Sequence, residues 1–425
     1  MREDHWFRNA RLGLFVHWGA YSMHGWEPSW PLVGGSAAFP HGQDVPVATY
    51  YRDVLRFAPP ADAPRAWLAH ARRCGMQYAV LTTKHHDGFS LFPDPDGELG
   101  VGRVPGGRDL VADFVAATRD AGLRVGFYFS LSDWHHPDYP AFTDAMRPYA
   151  LVAYPRPEPE RWARFRTHLL RQLRHLLTAY GPIDLLWFDG GWERSADEWG
   201  TDELVATIRA LQPDVVLNDR LPGTGDYATP EQALPAHPPD GPWETCVTMN
   251  HSWGNVDADR ERKSVRQLLG MLADTASGGG NLLVNVSPDG AGRLPDWQAE
   301  RLDGMADWMA RHRDAILGTQ RGLAPWQFYG PTTRRGDTTF LLCPMRPQEL
   351  VVLRGVHGRR ITGVRALGTG VSLELELRLS AVDRLFGRDP VCDVLVRVPE
   401  AALDATMTVI AVTTGANGPL VSGPA

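Results

Sequence analysis

Between residue 11 and about residue 315, short and nearly unbroken apolar runs alternate with longer segments whose apolar residues recur at helical spacing. The apolar runs at 12–17, 78–84, 125–130, 183–189, 215–219, 246–250 and 281–286 read as buried strands. The periodic segments at 64–74, 108–121, 160–180, 201–211, 264–277 and 296–315 read as helices. Such βα alternation predicts a parallel sheet wrapped by helices. Seven strands are legible and an eighth is not, so the expected fold is α/β: an irregular (β/α)8-like barrel of the TIM type over residues 1–325. A doubly wound open sheet would carry a glycine-rich phosphate turn opening a helix after its first strand. The nearest glycine-rich stretch, GGSAAFPHG at 34–42, reads instead as a loop.

After Trp326 the texture changes. Runs at 338–343, 350–353, 361–367, 371–377, 394–398 and 406–412 are short, rich in strand formers and separated by turn residues. They predict a small C-terminal antiparallel β-sandwich over residues 326–425, with Leu341 and Leu350 in its core. No catalytic grouping is visible there, and no internal repeat appears anywhere in the chain.

Composition narrows the class. A 425-residue chain that is 43% hydrophobic and 22% charged has room for a catalytic barrel and a smaller module. A net charge of −7 argues against a nucleic-acid partner. Four scattered cysteines outline neither a disulfide framework nor a zinc site. The charged N-terminus has no apolar signal region and no apolar run is long enough to span a membrane, so a cytoplasmic protein is expected. A homo-oligomer is left open. Fifteen tryptophans fit stacking on sugar rings as well as core packing.

The candidate chemistry lies at the strand ends, where a barrel builds its site. They read His17-Trp18-Gly19, Lys84-His85-His86-Asp87-Gly88, Ser130-Leu131-Ser132-Asp133-Trp134, Trp187-Phe188-Asp189-Gly190-Gly191, Asn218-Asp219-Arg220 and Asn250-His251-Ser252-Trp253. Helix caps alone would not call for four histidines and an arginine. Glycosidic cleavage needs two carboxyl groups. Asp189 supplies one; Glu231, in Gly225-Asp226-Tyr227-Ala228-Thr229-Pro230-Glu231, is the first candidate for the other. Glu244 is its rival, since a carboxyl against the indole of Trp243 would have a raised pKa. Arg220 could keep one carboxylate ionised or form a structural ion pair. The histidines serve best as neutral partners of sugar hydroxyls. A metal site of His17, His85, His86 and Asp189 is the alternative, weakened by the lack of a His-x-His pair on one strand face.

These motifs identify the chain as resembling the α-L-fucosidases of glycoside hydrolase family twenty-nine. The matching segments are FVHWGAYS (15–22), YAVLTTKHHDGFSLF (78–92), GLRVGFYFSLSDW (122–134), LLWFDGGW (185–192), VVLNDR (215–220), GDYATPE (225–231), SWGN (252–255) and GGGNLLVNVSPDGAG (278–292). The resemblance implies a retaining enzyme that needs no cofactor and no metal, with Asp189 as nucleophile and Glu231 as general acid/base. It also implies that His17, His85, His86, Tyr128, Trp187, Arg220 and Trp253 contact the sugar. Glu27, with Trp26 or Trp30, would hold ring hydroxyls, although HGWEPSWPL departs from the common spacing. Trp253 or Phe89 would wall the C5 methyl. A small carbohydrate is then the substrate, whether fucose or a related sugar such as L-galactose. A non-catalytic sugar-binding protein and a metal-dependent barrel hydrolase are the competing functions.

Overall fold

The computed structural model describes residues 1–2, 4–34, 44–141, 143 and 154–421. The predicted loop at 34–42 therefore lies almost entirely outside the described residues. Seven strands form one parallel sheet: β1 (Leu12–Val16), β2 (Tyr78–Lys84), β3 (Arg124–Ser130), β4 (Leu185–Asp189), β5 (Val216–Leu217), β6 (Glu244–Thr248) and β7 (Asn281–Val286). Their order is β5-β4-β3-β2-β1-β7-β6.

The gap between β5 and β6 is closed by a segment that reads as a loop in sequence. Tyr227 bridges Asn218 in parallel, while Ala228 and Glu231 bridge Trp243 and Cys246 in parallel. The Asp226 amide donates to the Leu217 carbonyl at 2.8 Å, and the Glu244 amide donates to the Ala228 carbonyl at 2.9 Å. Residues 226–232 are the eighth stave. It carries no apolar run, it contains Pro230, and no helix separates it from either neighbour. Parallel staves normally need a crossover of a dozen residues or more; these short ones explain why the periodicity misses it.

Side-chain parity sorts each strand into two layers. Leu14, Val16, Ala79, Leu81, Val125, Phe127, Phe129, Leu186 and Phe188 face the helices. Phe15, Tyr78, Val80, Tyr128, Leu185, Trp187, Tyr227, Cys246 and Leu283 fill the barrel interior. By the same parity His17, Asp189, Glu244 and Asn285 point inward. Gly13 belongs to the inward series as well, and a Cβ there would stand 2.4 Å from the Tyr78 ring. The short helix Trp6–Asn9 plugs the lower mouth, where Phe7 packs 4.3 Å from Tyr227.

The helices Ala63–Arg73, Leu110–Asp120, Pro159–Ala179, Thr201–Leu211, Val265–Ser277 and Asp296–His312 surround the barrel, close to the periodic segments. Beyond them a five-stranded antiparallel sheet comprises β8 (Gln320–Arg321), β9 (Thr332–Arg335), β10 (Thr338–Cys343), β12 (Gly363–Ala366) and β15 (Thr408–Thr413). A three-stranded sheet of β11 (Leu350–Val356), β13 (Leu375–Arg378) and β14 (Cys392–Arg397) packs on it. The predicted run at 371–377 is mostly irregular; only Leu375–Arg378 forms a ladder. The larger sheet is apolar on both faces. Leu341, Ile410 and Val412 face the smaller sheet, whereas Phe340, Leu342, Val409 and Ala411 join the core beneath the barrel helices. Leu350, expected in the core, is partly exposed at the start of β11.

Candidate active site

Asp189 closes β4, and its side chain is 13% exposed at the upper mouth of the barrel. Tyr128 Oη donates to its Oδ2 at 2.9 Å, and an Arg220 terminal nitrogen lies 3.4 Å from its Oδ1. Burial raises the Asp189 pKa above the ordinary 3.8, while Arg220, Tyr128 and the Gly190 amide oppose that rise. Gly190, at φ 72°, leads the chain sharply away from the carboxylate; a Cβ there would strike Ser132 Oγ at 2.4 Å.

Arg220 joins two carboxyls. Its other terminal nitrogen donates to Glu231 Oε2 at 2.7 Å, its Nε donates to Thr229 Oγ1 at 3.1 Å, and the guanidinium sits 4.9 Å over the Trp187 ring. Glu231 is the more open of the two acids, with its side chain 33% exposed.

The histidines are locked at one ring nitrogen each. His17 Nδ1 faces Asn285 Oδ1 at 2.7 Å, His85 Nδ1 faces Ser29 Oγ at 2.6 Å, and His86 Nδ1 faces Ser130 Oγ at 2.6 Å. His86 Nε2 is buried, has no hydrogen-bond partner, and lies 3.7 Å from Asp189 Oδ2. Burial pulls the pKa of His17 and of His86 down to about 3, and that of His85 well below its ordinary value. All three are neutral, as sugar hydroxyls require of partners that both donate and accept. His85 and His86 reach one site because β2 ends at Lys84; their rings are 4.2 Å apart. Lys84 is buried beneath them, paired with Asp133 at 3.2 Å.

Aromatic rings line the rest. Trp253 stands 4.8 Å from His17, Tyr128 stacks on His85 at 5.3 Å, and Trp30 meets His86 edge-on at 5.9 Å. The structure thus gathers His17, Trp30, His85, His86, Tyr128, Trp187, Asp189, Arg220, Glu231 and Trp253 at one mouth.

Three expectations resolve differently. The two oxygens of Glu27 accept the Trp253 and Gly254 amides at 2.7 and 3.1 Å, so this buried carboxyl ties the loop after β1 to the loop after β6. Phe89 packs on Phe57 at 5.8 Å in the outer layer, away from the mouth. Glu244 does meet an indole and its pKa is pushed up to about 7 by burial, but it opens β6 and is fully buried inside the barrel. Its indole partner is Trp187, not Trp243.

Sequence reasoning missed Ser29 and Asn285, which hold His85 and His17, and placed Ser130 and Ser132 at a strand end without seeing that they hold His86. It also missed Trp192, 45% exposed and 5.6 Å from His86 on the loop after β4. The only signal was its place two residues past the Asp189-Gly190 turn.

His85, His86 and Asp189 each offer a ligand atom within 4.8 Å of the others, the one such grouping among the described residues. The Arg220 guanidinium on the same carboxylate works against a cation there. Among the described residues, no helix is long and apolar enough to cross a membrane.

Comparison with known proteins bears on the family and the fold. A family model described as alpha-L-fucosidase matches residues 1–314. The tissue alpha-L-fucosidase of Mus musculus is 28% identical over 433 residues, spanning 93% of this chain and 87% of its own. Alpha-L-fucosidase isoenzyme 1 from Paenibacillus thiaminolyticus has a solved structure that superposes with a TM-score of 0.83 at 34% identity, covering 96% of this chain and 97% of that one. The Thermotoga maritima alpha-fucosidase gives a TM-score of 0.73 at 27% identity, with 96% of both chains covered. With a family model over most of the chain and these relatives in agreement, the chain belongs to the α-L-fucosidases, glycoside hydrolase family twenty-nine.

Proposed function

We propose that the protein is a retaining exo-α-L-fucosidase, with Asp189 as nucleophile and Glu231 as general acid/base. The observation that carries this reading is the shared guanidinium: Arg220 reaches Asp189 with one terminal nitrogen and Glu231 with the other. Retention calls for two carboxyls about 5–5.5 Å apart, a separation that one guanidinium can bridge.

In the first step an Asp189 oxygen attacks the anomeric carbon. The bond to the leaving oxygen breaks, and Glu231 gives that oxygen its proton. In the second step Glu231 takes a proton from water, whose oxygen displaces Asp189 from the same carbon. Arg220 and Tyr128 favour the ionised form of Asp189 despite its burial, as a nucleophile requires. The neutral histidines hold ring hydroxyls, and Trp253 offers an apolar face to the C5 methyl.

Wild type should hydrolyse an aryl α-L-fucoside and release the α-anomer first, as followed by proton NMR. Asp189→Ala should lose about 10⁴-fold or more in kcat. Glu231→Ala should be rescued by azide with formation of a fucosyl azide. Equal rates for wild type and Asp189→Ala would sink the nucleophile assignment. EDTA should leave the rate unchanged; a loss restored by added zinc would favour the His85, His86 and Asp189 grouping as a metal site.

A further inference from the structure

Glu244 is sealed in the barrel interior, away from the mouth, yet three side chains donate hydrogen bonds to it. It accepts from Tyr78 Oη, from Trp187 Nε1 at 3.0 Å and from Tyr227 Oη at 3.5 Å. These donors come from β2, β4 and the 226–232 stave, so the carboxyl links distant parts of the barrel wall. Burying a carboxyl is costly even when it is paired, and an apolar residue would fill the same space.

What distinguishes it is the Trp187 contact. Tyr128, on β3, stacks on the Trp187 ring at 5.7 Å with the planes 18° apart. Arg220, which follows β5, lies over the same ring at 4.9 Å. Since β3 and β5 flank β4, the indole is a slab between the phenol and the guanidinium. Tyr128 donates to one oxygen of Asp189, and Arg220 reaches the other. The two side chains that orient the nucleophile thus rest on one ring, and Glu244 holds that ring by its only polar atom.

We propose that Glu244 is a positioning residue for this reaction, fixing the Trp187 slab on which Tyr128 and Arg220 are set against Asp189. The inference rests on the fucosidase reading above. It concerns orientation in the transition state and not sugar binding, so its loss should appear in kcat and spare KM.

The test is a double-mutant cycle on an aryl α-L-fucoside, with wild-type turnover established first so that a failure of the fucosidase reading shows separately. Glu244→Leu, close in volume but without an acceptor, should lower kcat about 100-fold and change KM by less than about threefold. Glu244→Gln keeps an acceptor for the indole and should recover kcat to within about tenfold of wild type. Trp187→Phe keeps a ring but removes the N–H; in that background Glu244→Leu should add little further loss. A Glu244→Leu kcat within tenfold of wild type would overturn the proposal. So would equal losses from Glu244→Leu in the wild-type and Trp187→Phe backgrounds, or a loss expressed mainly in KM. Should Glu244→Leu fail to fold, the cycle runs with Glu244→Gln and Trp187→Phe: sub-additive kcat losses support the proposal and additive ones overturn it.

Discussion

Asn285 gives its Nδ2 to the Trp253 carbonyl at 2.9 Å, which leaves Oδ1 to face His17 Nδ1 at 2.7 Å. An amide oxygen only accepts, so His17 carries its proton on Nδ1 and presents an Nε2 lone pair to the site. On the proposed reading, sugar recognition by His17 would depend on a residue that need not touch sugar. Asn285→Leu should free the His17 ring and loosen the Trp253 carbonyl together, lowering kcat/KM on an aryl α-L-fucoside by about 10–100-fold. Steady-state kinetics decide it; an unchanged kcat/KM would show that the ring orientation is immaterial. Glu27 and Glu244 carry a related lesson. Both can be singled out from sequence, Glu27 through the family resemblance and Glu244 through its neighbour Trp243. Their roles are not legible there, because the partners that consume their lone pairs lie far away in the chain: Trp253 for Glu27, Tyr78 and Trp187 for Glu244.

At the level of elements, legibility follows burial. β1, β2, β3, β4 and β7 are apolar because one face meets helices and the other meets the barrel interior, and runs of that kind announce themselves. No helix joins residues 226–232 to either neighbouring strand, and Asp226, Ala228, Pro230 and Gln232 on one face are partly exposed, so the apolar signal disappears. The stave nevertheless stands out in sequence for its chemistry instead of its structure, through Glu231. The interior also sets limits that no periodicity reveals. Gly13 and Tyr78 are register partners, and the ring occupies the space a methyl would need. Gly13→Ala should therefore destabilise the barrel by about 1–3 kcal/mol, read as a lowered midpoint in urea. A midpoint equal to wild type would mean that the Tyr78 ring moves freely aside.

Across the whole molecule, the buried titratable groups set how stability responds to pH. His17 and His86 fall from 6.5 to about 3, so the unfolded chain binds more protons between those values and stability rises with pH. Glu27 and Glu244 rise from 4.5 to about 8 and about 7, and Asp87 from 3.8 to about 6; there the folded state holds the protons and stability falls as pH rises. The two trends oppose each other between pH 4.5 and 6.5. Of these five groups only the glutamates still act above 6.5, each costing about 1.4 kcal/mol per pH unit across its window. Tm should accordingly be lower at pH 8 than at pH 6.5; scanning calorimetry that shows a rise would contradict the assigned shifts.

The two-faced sheet of the C-terminal part has a practical consequence. Trp308 donates its indole N–H to the Met407 carbonyl, and Phe340, Leu342, Val409 and Ala411 complete the layer over the barrel helices. A chain cut after residue 325 would leave the helix at Asp296–His312 with its apolar flank in water. Exposed patches of that kind drive aggregation, so the truncated protein should be found in the insoluble fraction, whereas a soluble and active fragment would disprove the dependence. For anyone seeking a minimal catalyst, the C-terminal sheets, which lie outside the proposed active site, would then have to be kept.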